Sequence, residues 1–301
     1  MNIFCKKKIT LLLAATVLLL ALAGCGKTAE KAETTAQTEK MIAEVPLQAK
    51  EGIETVLILY LENYDTAGDV SAFRNANRAD FAMLMVIDNS LEKITSLQLN
   101  PDTIVPFTIP GTSEPVDMPL GEVYSYGSGG SDSCLNVTKA ASKLLKGIKI
   151  DHYLTFTMDS IEIVNDMIGG VVPGGSTDQE LAALTGAEAV VYFTQRDPED
   201  IDNEIHMSQQ RLYMEGLYEP FMRSAQNEDF LTSLSLRLGE RMATGLPLSQ
   251  LIQMFERMAV YSMDEEILTL PGSATVESGQ ISFFPDEAAL DRTVEALFLE
   301  Q

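Results

Sequence analysis

The clearest chemistry in this chain is carried by Leu22-Ala23-Gly24-Cys25. Two small residues and a cysteine at the end of an apolar run form the lipobox of bacterial lipoproteins. There a diacylglycerol is attached to the thiol through a thioether, and the leader is cut away. Lys6-Lys7-Lys8 supply the positive start of that leader, and Ile9 to Leu22 its almost unbroken apolar stretch. At about 14 residues the stretch falls short of the ~20 that span a bilayer. Residues 1–24 are therefore expected to be a signal peptide, with Cys25 lipidated and first in the mature chain. Such a protein sits on the outer face of the cytoplasmic membrane, held there by its acyl chains.

Few other reactive types remain. With Cys5 removed and Cys25 lipidated, Cys134 is left alone, so neither an internal disulfide nor a cysteine cluster is available. His152 and His206 are too few for a histidine-rich zinc site. His152, beside Asp151, reads as structural, and His206 is expected to bind nothing. The chain has 21 basic and 44 acidic side chains, a net charge of −23. Loss of the three leader lysines takes that balance to −26. A surface so acidic repels nucleic acid and anionic headgroups, which excludes a DNA-binding role.

The elements that must position a site begin near residue 51. Residues 25–50, rich in Ala, Glu, Thr, Lys and Gln, read as a flexible tether of roughly 28 Å span. One domain over 51–301 follows, with 46% hydrophobic residues in the whole chain to build its core. Val56 to Tyr60, Phe81 to Ile87 and Lys93 to Leu99 read as strands. Residues 106–133 read as loop. Helices are predicted after Asn136 up to Gly147, from Asp159 to Ile168, over Gly186–Phe193, over Asn203–Arg223, and after the caps Asn227 and Ser249. Ile148–Met158, Val171-Val172, Glu266–Leu270 and Ala274–Phe284 read as strands, and Asp286–Phe298 as a last helix. Strands alternating with helices predict an α/β fold, an αβα sandwich with a central mixed sheet and helices on both faces. The glycine pairs Gly169-Gly170 and Gly174-Gly175 read as a helix stop and a turn.

The order of segments resembles the LytR-CpsA-Psr family, the cell envelope-related transcriptional attenuator domain. Gly147-Ile148-Lys149-Ile150-Asp151-His152-Tyr153, then an apolar helix, then Gly169-Gly170-Val171-Val172-Pro173 matches the family's central block. Arg78-Ala79-Asp80 is similar to its "RSD" step, Asn100-Pro101-Asp102-Thr103 to "PRDT", and Val123-Tyr124-Ser125-Tyr126-Gly127 to "AYAYG". Leu184-Thr185-Gly186-Ala187-Glu188-Ala189 and Gln209-Gln210-Arg211 complete the series. The resemblance implies an envelope protein that attaches anionic glycopolymers from polyprenyl-pyrophosphate carriers to peptidoglycan. Its site would hold Mg²⁺ on Asp80 and Asp102, with Arg78, Asp102 and Arg196 catalytic and Glu62, Gln209, Gln210 and Arg211 binding substrate. A hard cation suits carboxylates, and the guanidinium fork suits phosphate.

The chain departs from that pattern at several positions. Tyr60, Glu62 and Tyr64 occupy the Gly, Asp and Arg of the family's "GxDxR". Pro101, Thr194, Ile205 and Ser208 occupy family arginine positions, leaving Arg78 and Arg196. Each lost phosphate clamp removes a few kcal/mol of transition-state stabilisation. Two functions therefore stay open. One is a Mg²⁺-dependent glycopolymer–peptidoglycan phosphotransferase; the other is a catalytically impaired relative that binds lipid or glycan, or regulates active enzymes. A transporter's substrate-binding lipoprotein predicts two similar lobes and a hinge, which the sequence does not contain.

Overall fold

Threonine to leucine, residues 55–61, forms a run buried on both sides, as expected for a strand at the centre of a covered sheet. In the computed structural model, which describes residues 49–63, 74–175, 182–197, 200 and 202–299, this run is β1 (Ile53–Asn63). It pairs antiparallel with β2 (Asn77–Asp88), which pairs antiparallel with β3 (Lys93–Leu99). A hairpin of β4 (Ile104–Thr108) and β5 (Pro115–Pro119) precedes helix α1 (Ser131–Leu144). Then come β6 (His152–Thr157), parallel to β1, and helices α2 (Ser160–Ile168), α3 (Gly186–Thr194), α4 (Glu204–Ala225) and α5 (Glu228–Leu238). The chain ends in β7 (Met242–Thr244), α6 (Leu248–Met258), β8 (Ser262–Met263), β9 (Leu268–Thr269), the hairpin β10 (Gly272–Glu277) and β11 (Gln280–Pro285), and α7 (Glu287–Phe298).

The sheet runs β7-β6-β1-β2-β3-β8, with β9 also on β3, and is mixed. Alternation along β1 separates two cores. Leu57, Leu59 and Leu61 pack with α1 and α7, whereas Val56, Ile58 and Tyr60 pack with α2 to α6. Helices thus cover both faces, and the expected αβα sandwich is what the chain forms. No described helix is long and apolar enough to cross a membrane.

Several expectations needed correction. The 106–133 loop contains β5 and the start of α1. That helix begins at Ser131, not after Asn136, because Asp132 accepts from Ser128 N at 2.8 Å and closes the entry turn. The Asn136 side chain donates instead to Tyr126 O. The strand expected at Ile148–Met158 shortens to β6, since Ser142 Oγ takes Ile148 O and Thr55 Oγ1 takes Asp151 N. Val171 makes only a single bridge to Leu184. The strand expected over Ala274–Phe284 is a hairpin, turned at Ser278 and Gly279 with φ of 53° and 81°. Helix α6 starts from Pro247 rather than Ser249. Asn227 caps α5 as expected, and Asp286, expected as the first residue of the last helix, caps α7. The predicted tether overruns the fold by two residues: Lys50 N bonds Phe298 O, and its ammonium pairs with Asp88 at 2.8 Å. The signal peptide, Cys25, the rest of the tether and Tyr64 lie outside the described residues.

Candidate functional site

At the ends of β1 and β2 the pairing slips. Tyr60 faces Phe81 but Leu61 faces Ala79, which leaves Asp80 as the extra residue of a β-bulge. The bulge turns Asp80 toward the α2–α6 side, where it is 2% exposed. One step further, Glu62 and Arg78 sit opposite each other, and Arg78 Nε donates to Glu62 Oε1 at 2.5 Å. Burial alone would lower the pKa of Arg78. Glu62 beside it, with Asp102 and Asp80, more than offsets that and raises it.

The other half of the site comes from the chain between α3 and α4. Arg196 follows the C-terminus of α3 and binds Asp80 Oδ1 through Nη2, with Glu62 Oε1 at 3.8 Å. Its Nη1 donates to Asn203 Oδ1 at 2.9 Å. Asn203 adopts the left-handed conformation (φ 66°) immediately before α4, and its Nδ2 donates to Asp102 Oδ2 at 2.9 Å. From the first turn of α4, His206 meets Asp80 Oδ2 through Nε2 at 3.0 Å and Gln195 O through Nδ1 at 2.9 Å. Gln210, one turn later on the same face, donates from Nε2 to Asp80 Oδ2 at 3.0 Å. Glu62, Arg78, Asp80, Asp102, Arg196, Asn203, His206 and Gln210 therefore form one connected ionic cluster.

The two acids differ in character. Burial pushes the Asp80 carboxyl up, but the hydrogen bond from His206 and the charges of Arg196 and Arg78 outweigh it and hold Asp80 below the usual range. Asp102 is raised. Its burial prevails over the attraction of Arg78 and Arg196 and the Asn203 bond, and the neighbouring Asp80 charge adds to it. The site thus pairs one carboxyl of lowered with one of raised proton affinity, the kind of pairing on which acid–base roles are divided.

The LytR_cpsA_psr family model matches residues 18–298. The chain belongs to the LytR_cpsA_psr family. Its fold is similar to that of TagV from B. subtilis, at 20% identity and TM-score 0.62, covering 82% of this chain and 96% of that one. TagT bound to LI-WTA is similar at 17% identity and TM-score 0.61, covering 84% and 97%. Protein gbs0355 from Streptococcus agalactiae gives 14% identity and TM-score 0.64 over 81% and 86%. No curated protein sequence matches the chain. Membership in the LytR_cpsA_psr family supports an extracytoplasmic, transferase-type role on glycopolymers of the cell envelope.

Of the residues singled out in this LytR_cpsA_psr sequence, the structure brings together Glu62, Arg78, Asp80, Asp102, Arg196 and Gln210. Gln209 is half-buried and makes no hydrogen bond in the cluster, because it lies a helical step away from the Gln210 face. Arg211 points elsewhere too: its Nη1 donates to Gln98 Oε1 at 3.0 Å, lining a polar cavity of about 340 Å³ with Asn100 and Phe283. His206, expected to bind nothing, is buried at the centre of the cluster. Asn203 was not singled out at all. The one available sequence signal was the four-residue spacing of His206 and Gln210, which places both on one helix face.

Of the two carboxylates expected to hold Mg²⁺, Asp80 does not offer a free oxygen in this arrangement. Both oxygens of Asp80 are taken by donors: Oδ1 by Arg196, Oδ2 by His206 and Gln210. Among the described residues no group of three or more His, Cys, Asp or Glu side chains could hold a metal ion. Asp102, whose Oδ2 accepts from Asn203 Nδ2, is the carboxylate that would hold Mg²⁺, a cation that usually takes one or two carboxylates together with substrate phosphates and waters.

An apolar cavity adjoins the cluster, between the sheet and α2, α4, α5 and α6. Ile58, Tyr60, Phe156, Leu217 and Leu234 are among its walls, and its volume is about 80 Å³. Tyr218 closes one side, its hydroxyl donating to Ser96 Oγ at 2.8 Å.

Proposed function

We propose that this protein is a lipid-anchored member of the family that binds the phosphate of a polyprenyl-linked glycopolymer and passes the glycan to peptidoglycan. Anchoring rests on Cys25 and the leader before it. The observation that carries the reading is the juxtaposition of a cluster holding two arginines with an apolar cavity. That arrangement suits an amphiphile with an anionic head, Arg78 and Arg196 meeting the phosphate and the apolar side of the site at Tyr60 meeting the start of the tail. TagT in its complexes with LI-WTA and LIIa-WTA supplies the precedent within the same fold.

In this reading an acceptor hydroxyl attacks the glycan-bearing phosphorus. A new P–O bond forms as the bond to the prenyl phosphate breaks, and the hydroxyl proton passes to Asp102, the carboxyl whose affinity for protons is raised. Arg78 and Arg196 balance the charge growing on the leaving phosphate. Asn203 and Asn100 orient the base, through Asp102 Oδ2 at 2.9 Å and Asp102 N at 2.8 Å.

A second reading, a catalytically impaired relative, is favoured by one observation. Arg196 and Arg78 are already engaged by Asp80 and Glu62. A phosphate must compete with those carboxylates, and the family arginines that would help are Pro101, Ile205 and Ser208. A transfer assay with lipid-linked glycopolymer and peptidoglycan separates the two. Product formation that disappears in Asp102→Asn supports the enzyme. Binding of the lipid-linked donor without any product supports the impaired relative. Loss of membrane association and of acyl labelling in Cys25→Ala tests the anchor.

A further inference from the structure

The apolar cavity and the ionic cluster lie on the same face of β1, and one residue divides them. Ile58 lines the cavity, Glu62 belongs to the cluster, and Tyr60 is the residue between them at strand period two. Tyr60 is 4% exposed and forms a knot of rings with Phe156, Phe193 and Phe81, at centroid distances of 5.2, 5.1 and 5.9 Å. Phe81 directly follows Asp80, and Phe193 lies three residues before Arg196, so the knot backs onto the cluster. Behind the knot the cavity holds only about 80 Å³, roughly half of the ~150 Å³ that accepts a benzene.

We propose that Tyr60 is a specificity-determining septum that restricts the bound tail to its first prenyl units. This rests on the amphiphile reading of the site given above. A tail leaving a phosphate at Arg78 and Arg196 must pass the phenol ring to reach the space lined by Leu217 and Leu234. With the ring in place, the cavity cannot take up a long polyprenyl chain. A long tail is left in the membrane or on the protein surface, and only its proximal part contributes to affinity.

The test compares the full-length protein with Tyr60→Gly, each in lipid nanodiscs, for binding of geranyl, farnesyl, geranylgeranyl and undecaprenyl phosphate. Wild type is expected to bind all four alike, because carbons beyond the first units find no cavity. Tyr60→Gly should gain at least about tenfold for the long ligands, the effect of burying two further methylene groups. Tyr60→Phe, which keeps the ring, should behave as wild type. Benzene binding followed by NMR reads the septum without any phosphate ligand, and is expected in Tyr60→Gly but not in wild type, whose cavity is about half the size that accepts benzene. If the glycine variant fails to fold, Tyr60→Ala serves in both arms. Wild-type affinity that already climbs with tail length overturns the proposal, as does an opened cavity with no gain for long tails. If no prenyl phosphate binds either protein, the amphiphile reading falls. The septum then stands if benzene enters the variant alone, and falls if benzene enters both or neither.

Discussion

Replacing Asp80 by asparagine should be the most damaging isosteric change in this fold. The carboxylate is almost fully buried and meets Arg196, His206 and Gln210. The amide keeps the shape but removes the charge, and turns an N–H group toward three donors. Breaking a buried charge pair from one side costs about 3–5 kcal/mol. The Arg196 side chain is 38% exposed, so water replaces part of its loss and the lower end, about 3 kcal/mol, applies. With a urea slope of about 3 kcal/mol/M, the unfolding midpoint should fall by about 1 M. The pH dependence carries a sign of its own. Asp80 is held below its ordinary value in the folded state, so its stabilisation is complete above the unfolded value near pH ~4. It is lost as pH falls through the lower folded value. Urea titrations at neutral pH and in steps down to strongly acidic pH should show the gap between wild type and Asp80→Asn closing on the acid side. A difference under about 0.5 kcal/mol at pH 7, or one that ignores pH, would refute the buried-cluster argument.

Asp102→Asn should behave in the opposite manner. Its carboxyl is raised by burial, so its ionisation weakens the fold as pH rises through that raised value. The variant should lose no more than about 1 kcal/mol in urea at neutral pH while stopping transfer. Gly216→Ala places a Cβ 2.0 Å from the backbone oxygen of Val172, where α4 crosses residues 171–175. It should cost about 1–3 kcal/mol, read as a lower melting temperature. Thr185→Ala removes the capping box that Thr185 and Glu188 build at the start of α3, and should cost about 1 kcal/mol in the same assay. The melting temperature of wild type should be the same in EDTA and in millimolar Mg²⁺, since Asp80 offers no free oxygen. A rise in Mg²⁺ that vanishes in Asp80→Asn would contradict the donor-set argument.

Local signals carried the sequence reading a long way. Ordered short motifs gave the family, strand–helix alternation gave the sandwich, and Asn227 and Asp286 marked helix starts because a cap is a one-turn event. What stayed hidden depends on contacts between segments far apart in sequence. Nothing in Arg78-Ala79-Asp80 announces the bulge that turns Asp80 inward, since the slip exists only against Tyr60 and Leu61. His206 looked idle because its partner is 126 residues away. Asn203 joins the site through a left-handed backbone conformation that few residues other than glycine adopt, so its role could not be read from its neighbours. Gln209 and Arg211 share a family-like motif with Gln210, although a helix separates such neighbours by 100°. The missed hairpin turned on Ser278-Gly279, a short turn signal set inside an apparently continuous strand.

The central claim is that the arginines of the ionic cluster receive a phosphate head. Titrating geranyl phosphate and geranyl pyrophosphate into the full-length protein in nanodiscs, alongside Arg78→Gln and Arg196→Gln, tests it most directly. The account predicts saturable binding to wild type, weakened by about tenfold or more in each variant. Binding that both variants retain at wild-type strength, or no saturable binding by wild type, would contradict it.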